Sequence, residues 1–378
     1  MTNLTIEPVE TRRQFREFVD LPWSIYPSYP HWVPPLKSEV RRLLDARRHP
    51  FWKSAERVLF LARRGSRLVG RIAAIVDHNS NTYHSEKAGA WGFFESVDEP
   101  AVATALFEAV EDWTTHAGME FVRGPLNPST NYEIGLLVEG FEYDPAIMMP
   151  YNPSYYMPLV ESCGYTKEKD VLAFVTEHTD RGSERVERLA RRVVRKTRAS
   201  IRTIDMKNLP AEVDLMRELY NQAWAHNWGF CPTTDDEAKE MAAGLRKIVD
   251  PDLAFFVYYQ GEPVGICLIM PDVNPLIKRL NGKIGLLGVF KYLAYRKEVV
   301  GSRLLAIGFR QDHHKLGLPI VAFEYVNRVG RAKGLKYMEL SWTLEDNEAI
   351  NQYAAEMGGK LRKRYRIFRK ELNTGRKA

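Results

Sequence analysis

The sequence predicts an α/β (α+β) chain made of two similar halves, each a mixed, mostly antiparallel sheet flanked by helices. Three observations lead there. At 378 residues the chain is longer than one ordinary core accommodates. Two apolar strand pairs, 57–63 with 67–76 and 253–259 with 263–270, are joined by turn residues, Gly65-Ser66 in the first and Gln260-Gly261-Glu262 in the second. Around each pair the same order of elements occurs, so the unit of α+β architecture is present twice.

In the first half a strand at 4–8 precedes a short helix and a second helix near 36–45. The first hairpin follows, then a strand at 89–95, a helix at 101–117 and a strand at 121–124. The divide is a basic segment, RGSERVERLARRVVRK at 181–196, with Val186, Leu189 and Val193 at helical spacing. It reads as a connector packed on its apolar stripe with a solvated basic face. The expected domains are 1–170, a basic linker at 171–199, and 200–378. The second half begins with a strand at 200–204 and helices near 211–225 and 235–249, followed by the second hairpin. After it come a strand at 303–309, the turn RQDHHKLG at 310–317, a helix at about 318–333 and a strand at 336–342. The acidic turn 345–347, a short helix carrying Tyr353, Gly358-Gly359 and a closing strand at 360–372 complete it.

Composition excludes several classes. Hydrophobic residues at 45% and charged residues at 27% describe a globular chain rather than a disordered one. Cys163, Cys231 and Cys267 are odd in number and widely spaced, which argues against a disulfide framework or a zinc site and fits a reducing compartment. No metal is expected. No N-terminal signal is evident and no apolar stretch reaches the ~20 residues that span a bilayer, so a cytoplasmic location is expected. The net charge of +6 favours an anionic partner, whether nucleotide cofactor, nucleic acid or membrane surface. No recognised nucleic-acid reader motif is present, and a nucleic-acid partner is not expected.

The strand–turn–helix step at 303–333 is the informative one, because free N–H groups at a helix start suit a pyrophosphate. Turn, strand, Asn, Tyr and Gly-Gly follow in a series that resembles the coenzyme A half of the GNAT superfamily, the acyl-CoA-dependent N-acyltransferases. The turn has one glycine where that family usually has two or more. The motifs at 33–35, 70–72, 124–127, 151–156 and 342–347 are similar to a group of large tandem-GNAT bacterial proteins, some of them like the bacterial ceramide synthases.

The resemblance implies acyl-CoA as co-substrate. Arg310, Gln311, His313, Lys315, Leu316, Gly317 and Asn347 would contact it, and Tyr353 would protonate the leaving thiolate. It implies a long-chain acyl donor and a lipid-like amine acceptor such as a sphingoid base. For the general base the residues offer Glu339, on a strand that otherwise reads as buried, or a histidine, His314 foremost. Carbonyl polarisation can come from backbone N–H groups where the strand before the turn splays. Acceptor contacts are expected from the rigid Pro- and Asn-rich loops, at Asn127, Asn131, Glu133, Asn152 and Tyr155, and from Trp342 and Glu345. An ordered turn network is the alternative for those loops. The first half moves through an acidic stretch, 96–100, straight into its helix, and is read as a degenerate copy that shapes the acceptor pocket.

An insertion at 276–297 sets Leu286, Leu287, Val289, Phe290 and Leu293 among lysines and arginines, as a membrane-surface helix or an apolar lid would, and as a core helix also can. The first reading makes an anionic inner-membrane surface a partner and the protein peripheral. Other readings of the whole chain are an aminoacyl-tRNA-dependent transferase of the tandem-GNAT type, an N-acetyltransferase of small amines, and a non-catalytic membrane-associated protein of this fold.

Overall fold

Apolar alternation produces both hairpins in the computed structural model, which describes residues 3–178, 183–283 and 294–373, apart from the side chains of Ser183, Arg296, His314 and Lys315. The chain forms two compact units. One comprises Met1–Leu172, Ile277–Gly288 and Arg362–Ala378; the other comprises Ala173–Leu276 and Val289–Leu361.

The first unit contains β1 (Leu4–Pro8), β2 (Ala55–Arg64), β3 (Arg67–Asp77), β4 (Ala88–Ser96) and β5 (Phe121–Gly124). The short strands β6 (Leu126–Asn127), β7 (Glu133–Ile134) and β8 (Leu136–Glu139) follow, and β9 (Thr166–Glu177) begins in this unit and ends in the other. The second unit adds β10 (Ser200–Thr203), β11 (Ala254–Tyr259), β12 (Glu262–Pro271), β13 (Gly301–Phe309) and β14 (Tyr337–Leu344). From Arg362 onward, β15 (Lys360–Glu371) belongs to the first unit.

The sheet of the first unit runs β1-β2-β3-β4-β5-β15. Every pair is antiparallel except β4 with β5. The helix Pro100–His116 covers it through Val102, Ala103, Leu106, Phe107 and Val110, an i, i+4, i+8 stripe that is fully buried. It can lie this close because Gly70 has no side chain: a Cβ there would sit 2.8 Å from Leu106 Cδ1. Trp91, Tyr156, Tyr165 and Phe368 complete this core.

The sheet of the second unit runs β9-β14-β13-β12-β11-β10, antiparallel from β10 to β13 and parallel between β13 and β14. The helix Leu209–Trp224 packs on β12 and β13, with Leu219 in a cluster with Ile204, Ala254, Phe256 and Ile266. The helix Leu318–Ala332 connects β13 to β14, burying Leu318, Val321, Ala322, Phe323 and Val326. Against it lies the basic helix Ser183–Thr197, docked through buried Ala190 and Thr197 and half-buried Val186 and Val193.

Candidate active site

The site begins where two parallel strands part. The register of β13 on β14 ends at Leu304 with Leu340, while β13 continues to Phe309 and β14 to Leu344. Residues 306–309 still pair with β12 on their other edge. The stretch 305–308 therefore keeps one backbone edge without a strand partner, and no described side chain takes that place. Unpaired N–H groups on such an edge can polarise a carbonyl. Trp224 lies over this stretch: a Cβ on Gly308 would meet its ring at 2.3 Å. Tyr220 stacks on Trp224 at 4.8 Å.

The first unit has the same parallel step, and there the edge is closed. Register ends at Ala90 with Arg123. Beyond it the Phe93 N–H donates to Asn127 Oδ1 at 2.7 Å, and the Ser96 N–H donates to the Tyr156 hydroxyl at 3.0 Å. Tyr155 donates to the Ser96 carbonyl at 2.8 Å, and Tyr156 donates to buried Glu95 at 2.7 Å. Glu95 is flanked by Arg71 at 3.4 Å, and burial is the main cause that raises its pKa.

In the second unit the turn after β13 is a 3-10 helix, Gln311–Leu316, closed by Gly317 with φ 74°, a left-handed conformation that suits a residue lacking Cβ. The Arg310 N–H is bonded to Val264 O at 2.8 Å. His313 shares a hydrogen bond with Asp312 at 2.7 Å and sits edge-on to Tyr259, 5.4 Å between centroids. That hydrogen bond, more than the charge of Arg310 3.7 Å away, lowers the Asp312 pKa. Gln311 is exposed and Leu316 half-buried. The side chains of His314 and Lys315 lie outside the described residues.

Glu339 is 3% exposed on β14, opposite Arg303 in the parallel register. The Ser341 hydroxyl donates to Glu339 Oε1 at 2.9 Å and accepts from Arg303 Nε at 3.0 Å, so the three form one buried group. Ser341 was legible, since i+2 on a strand shares a face with Glu339. Arg303 was not, because only strand pairing brings it there. The peptide between Ser341 and Trp342 is cis. Trp342 and Glu345 are both half-buried.

Asn347 heads the helix Glu348–Glu356, its Oδ1 accepting from Ile350 N–H at 3.3 Å. Asn351 holds the turn before it by donating to Leu344 O at 2.8 Å and Glu345 O at 3.3 Å. These bonds fix the position of Tyr353. Its ring is edge-on to Phe323, 4.9 Å away, in the second turn of the helix that Gly317 opens. Its hydroxyl is buried and has no hydrogen-bond partner among the described residues. Burial first, and the Glu356 charge second, raise its pKa above the ordinary phenol value, so it stays protonated at neutral pH.

The loop candidates of the first unit are held in local networks. Asn127 and Glu133 face each other across β6 and β7, and Asn131 N–H donates to Ser129 Oγ at 3.3 Å. Asn152 accepts from Leu137 N–H at 2.7 Å and donates to the carbonyls of Leu137 and Pro153, which engages both ends of its amide. Residues 277–283 of the insertion, the end of a helix at Asn274–Leu280 and the turn after it, are tied down in the first unit. Lys278 pairs with Asp144 at 2.6 Å, and Asn281 accepts from Trp23 Nε1 at 2.8 Å. Residues 284–293 lie outside the described residues, so the proposed surface or lid at 276–297 stands there only as an expectation. Among the described residues no helix is long and apolar enough to cross a membrane, and no His, Cys, Asp or Glu cluster could hold a metal ion.

A parted parallel pair, a glycine-closed turn heading a helix, and a phenol beside that helix define the class as a GNAT N-acyltransferase fold, here in tandem. The chain matches a tandem GNAT protein from the clavulanic acid biosynthesis pathway over 100% of both chains, with a TM-score of 0.54 at 11% identity. It is 34% identical over 378 residues to the bacterial ceramide synthase of Caulobacter vibrioides, covering 98% of each. To Protein YghO of Escherichia coli K12 it is 31% identical over 375 residues, covering 96% of this chain and 94% of that one. No family model matches the chain. The chain belongs to the tandem-GNAT N-acyltransferase family that includes the bacterial ceramide synthase.

Proposed function

We propose that the protein transfers a long-chain acyl group from acyl-CoA to the amine of a lipid-like acceptor, a sphingoid base being the nearest example. The buried, unpartnered Tyr353 hydroxyl beside the helix opened by Gly317 carries this reading. A buried hydroxyl without a partner costs about 1–3 kcal/mol, and a bound thioester sulfur would supply the missing contact. The open edge of β13 gives acyl-CoA a place in the second unit, whereas asparagine and tyrosine side chains fill that edge in the first. The lipid-like acceptor rests on the 34% identity to a protein named a ceramide synthase.

In the proposed reaction the amine nitrogen attacks the thioester carbonyl carbon, forming C–N while C–S breaks. The sulfur leaves with the bonding pair and takes the Tyr353 proton. The proton lost by nitrogen passes to Glu339 through the Ser341 hydroxyl, which already donates to that carboxyl group. Those backbone N–H groups of 305–308 that point to the open edge would receive the developing oxyanion. Free thiol and amide measured together, with a long-chain acyl-CoA and a long-chain amine, test the proposal. Equal amounts of both are expected; thiol release only from acetyl-CoA, or transfer only from charged tRNA, would overturn it.

A further inference from the structure

We propose that the basic helix Ser183–Thr197 is part of the donor site, with Arg192 and Lys196 binding the phosphates of the 3′-phosphoadenosine end of acyl-CoA. This rests on acyl-CoA being the donor. Placement comes first. A Cβ added to Gly317, in the turn that would receive the pyrophosphate, would lie 3.2 Å from Val193 Cγ2. Val193 is thus against the turn; Lys196, at i+3, shares its side of the helix, and Arg192 stands one turn before Lys196 at i−4.

Charge is the second observation. Arg188 pairs with Glu184 at 3.7 Å, and Arg191 pairs with Glu187 on the same helix. Arg185, Arg192, Arg195 and Lys196 are exposed and have no acidic partner among the described residues. Arg188 with Arg192, and Arg192 with Lys196, stand four apart, and each such like-charge pair disfavours the helix. A connector needs no such row, whereas a polyanion would relieve it.

Demand is the third. Pro319 has no N–H, and that of Ile320 is bonded to the Gly317 carbonyl at 3.1 Å. Asp312 adds negative charge within the turn and draws on Arg310, 3.7 Å away. The helix start is therefore poor in donors for a ligand carrying three phosphates, and cations beside the turn make up the difference.

The test compares KM for a long-chain acyl-CoA with KM for the same donor lacking the 3′-phosphate. Wild-type enzyme should prefer the complete donor by about tenfold or more. Arg192→Glu with Lys196→Glu should abolish that preference by raising KM for the complete donor alone. Arg185→Glu makes the same kind of charge change two turns away from Val193 and should keep the preference. Equal KM values in wild type, or a matching loss in Arg185→Glu, would overturn the inference. So would loss of binding to anionic vesicles with KM values intact, which would make the helix a lipid-surface site. Absence of thiol release from any acyl-CoA by wild type would instead remove the donor on which it rests.

Discussion

Replacing Tyr353 by phenylalanine separates a catalytic phenol from a packed one, because the two roles predict opposite changes. The substitution keeps the ring on Phe323, 4.9 Å away, and deletes only a hydroxyl with no hydrogen-bond partner among the described residues. Removing an unpaired buried hydroxyl should stabilise the fold by on the order of 1 kcal/mol, which raises Tm by roughly 2 °C in a chain of this size. Losing a positioned proton donor should lower kcat by about 10²–10⁴-fold, or roughly 3–5 kcal/mol of transition-state stabilisation. Single-turnover thiol release gives the rate, calorimetry the acyl-CoA affinity, and a thermal scan the stability. A firmer fold, a Kd within about twofold of wild type and a slow chemical step are expected. The phenol pKa lies above its ordinary value, so the wild-type rate should show no loss of this acid between pH 7 and 9. A kcat within about threefold of wild type, or a lowered Tm, would refute the assignment.

Glu339→Gln should lower kcat by about 10²-fold in single-turnover amide formation; an unchanged kcat would move the base elsewhere. Gly317→Ala forces a Cβ into a left-handed residue, 3.2 Å from Val193 Cγ2. A stability loss of about 1–2 kcal/mol with a raised KM for acyl-CoA is expected, read by denaturant titration and kinetics. Burial, with Arg42 second, lowers the His49 pKa from 6.5 to about 4. Its folded pKa is depressed, so the unfolded chain takes up the proton first as pH falls. Stability should drop between pH 6.5 and 4 by on the order of 3 kcal/mol. His49→Gln should flatten that part of a Tm-against-pH curve, and two parallel curves would contradict the assignment.

Local signals made much of the fold legible. Both hairpins formed where apolar runs met turn residues, 57–76 becoming β2 and β3, and 253–270 becoming β11 and β12. The helix at Leu318–Ala332 and Asn347 at the head of the next helix follow from cap and glycine signals. The strand β9 escaped because it opens on Lys167, Glu168, Lys169 and Asp170, a charged run that reads as linker. Asp170 is nonetheless 1% exposed and paired with Arg366 at 2.8 Å, and six buried residues follow it. In the site, residue types were readable but their partners were not. Whether Tyr353 finds a hydrogen bond, whether Asn152 is engaged by Leu137, and whether Arg303 lies opposite Glu339 depend on pairing across 15 to more than 30 positions. Sequence periodicity carries no information at that range. The basic helix shows the same limit: of the expected stripe Val186 and Val193 are half-buried, but Leu189 is exposed and Ala190 is buried in its place, and the seat against Gly317 was not visible.

The most direct measurement is mass spectrometry of the product mixture formed by the purified chain with a long-chain acyl-CoA and a sphingoid base. An amide joining the two, with one free coenzyme A thiol per amide and none from the Tyr353→Phe enzyme on the same timescale, is the result expected. Intact donor and free amine after prolonged incubation with folded protein would contradict it.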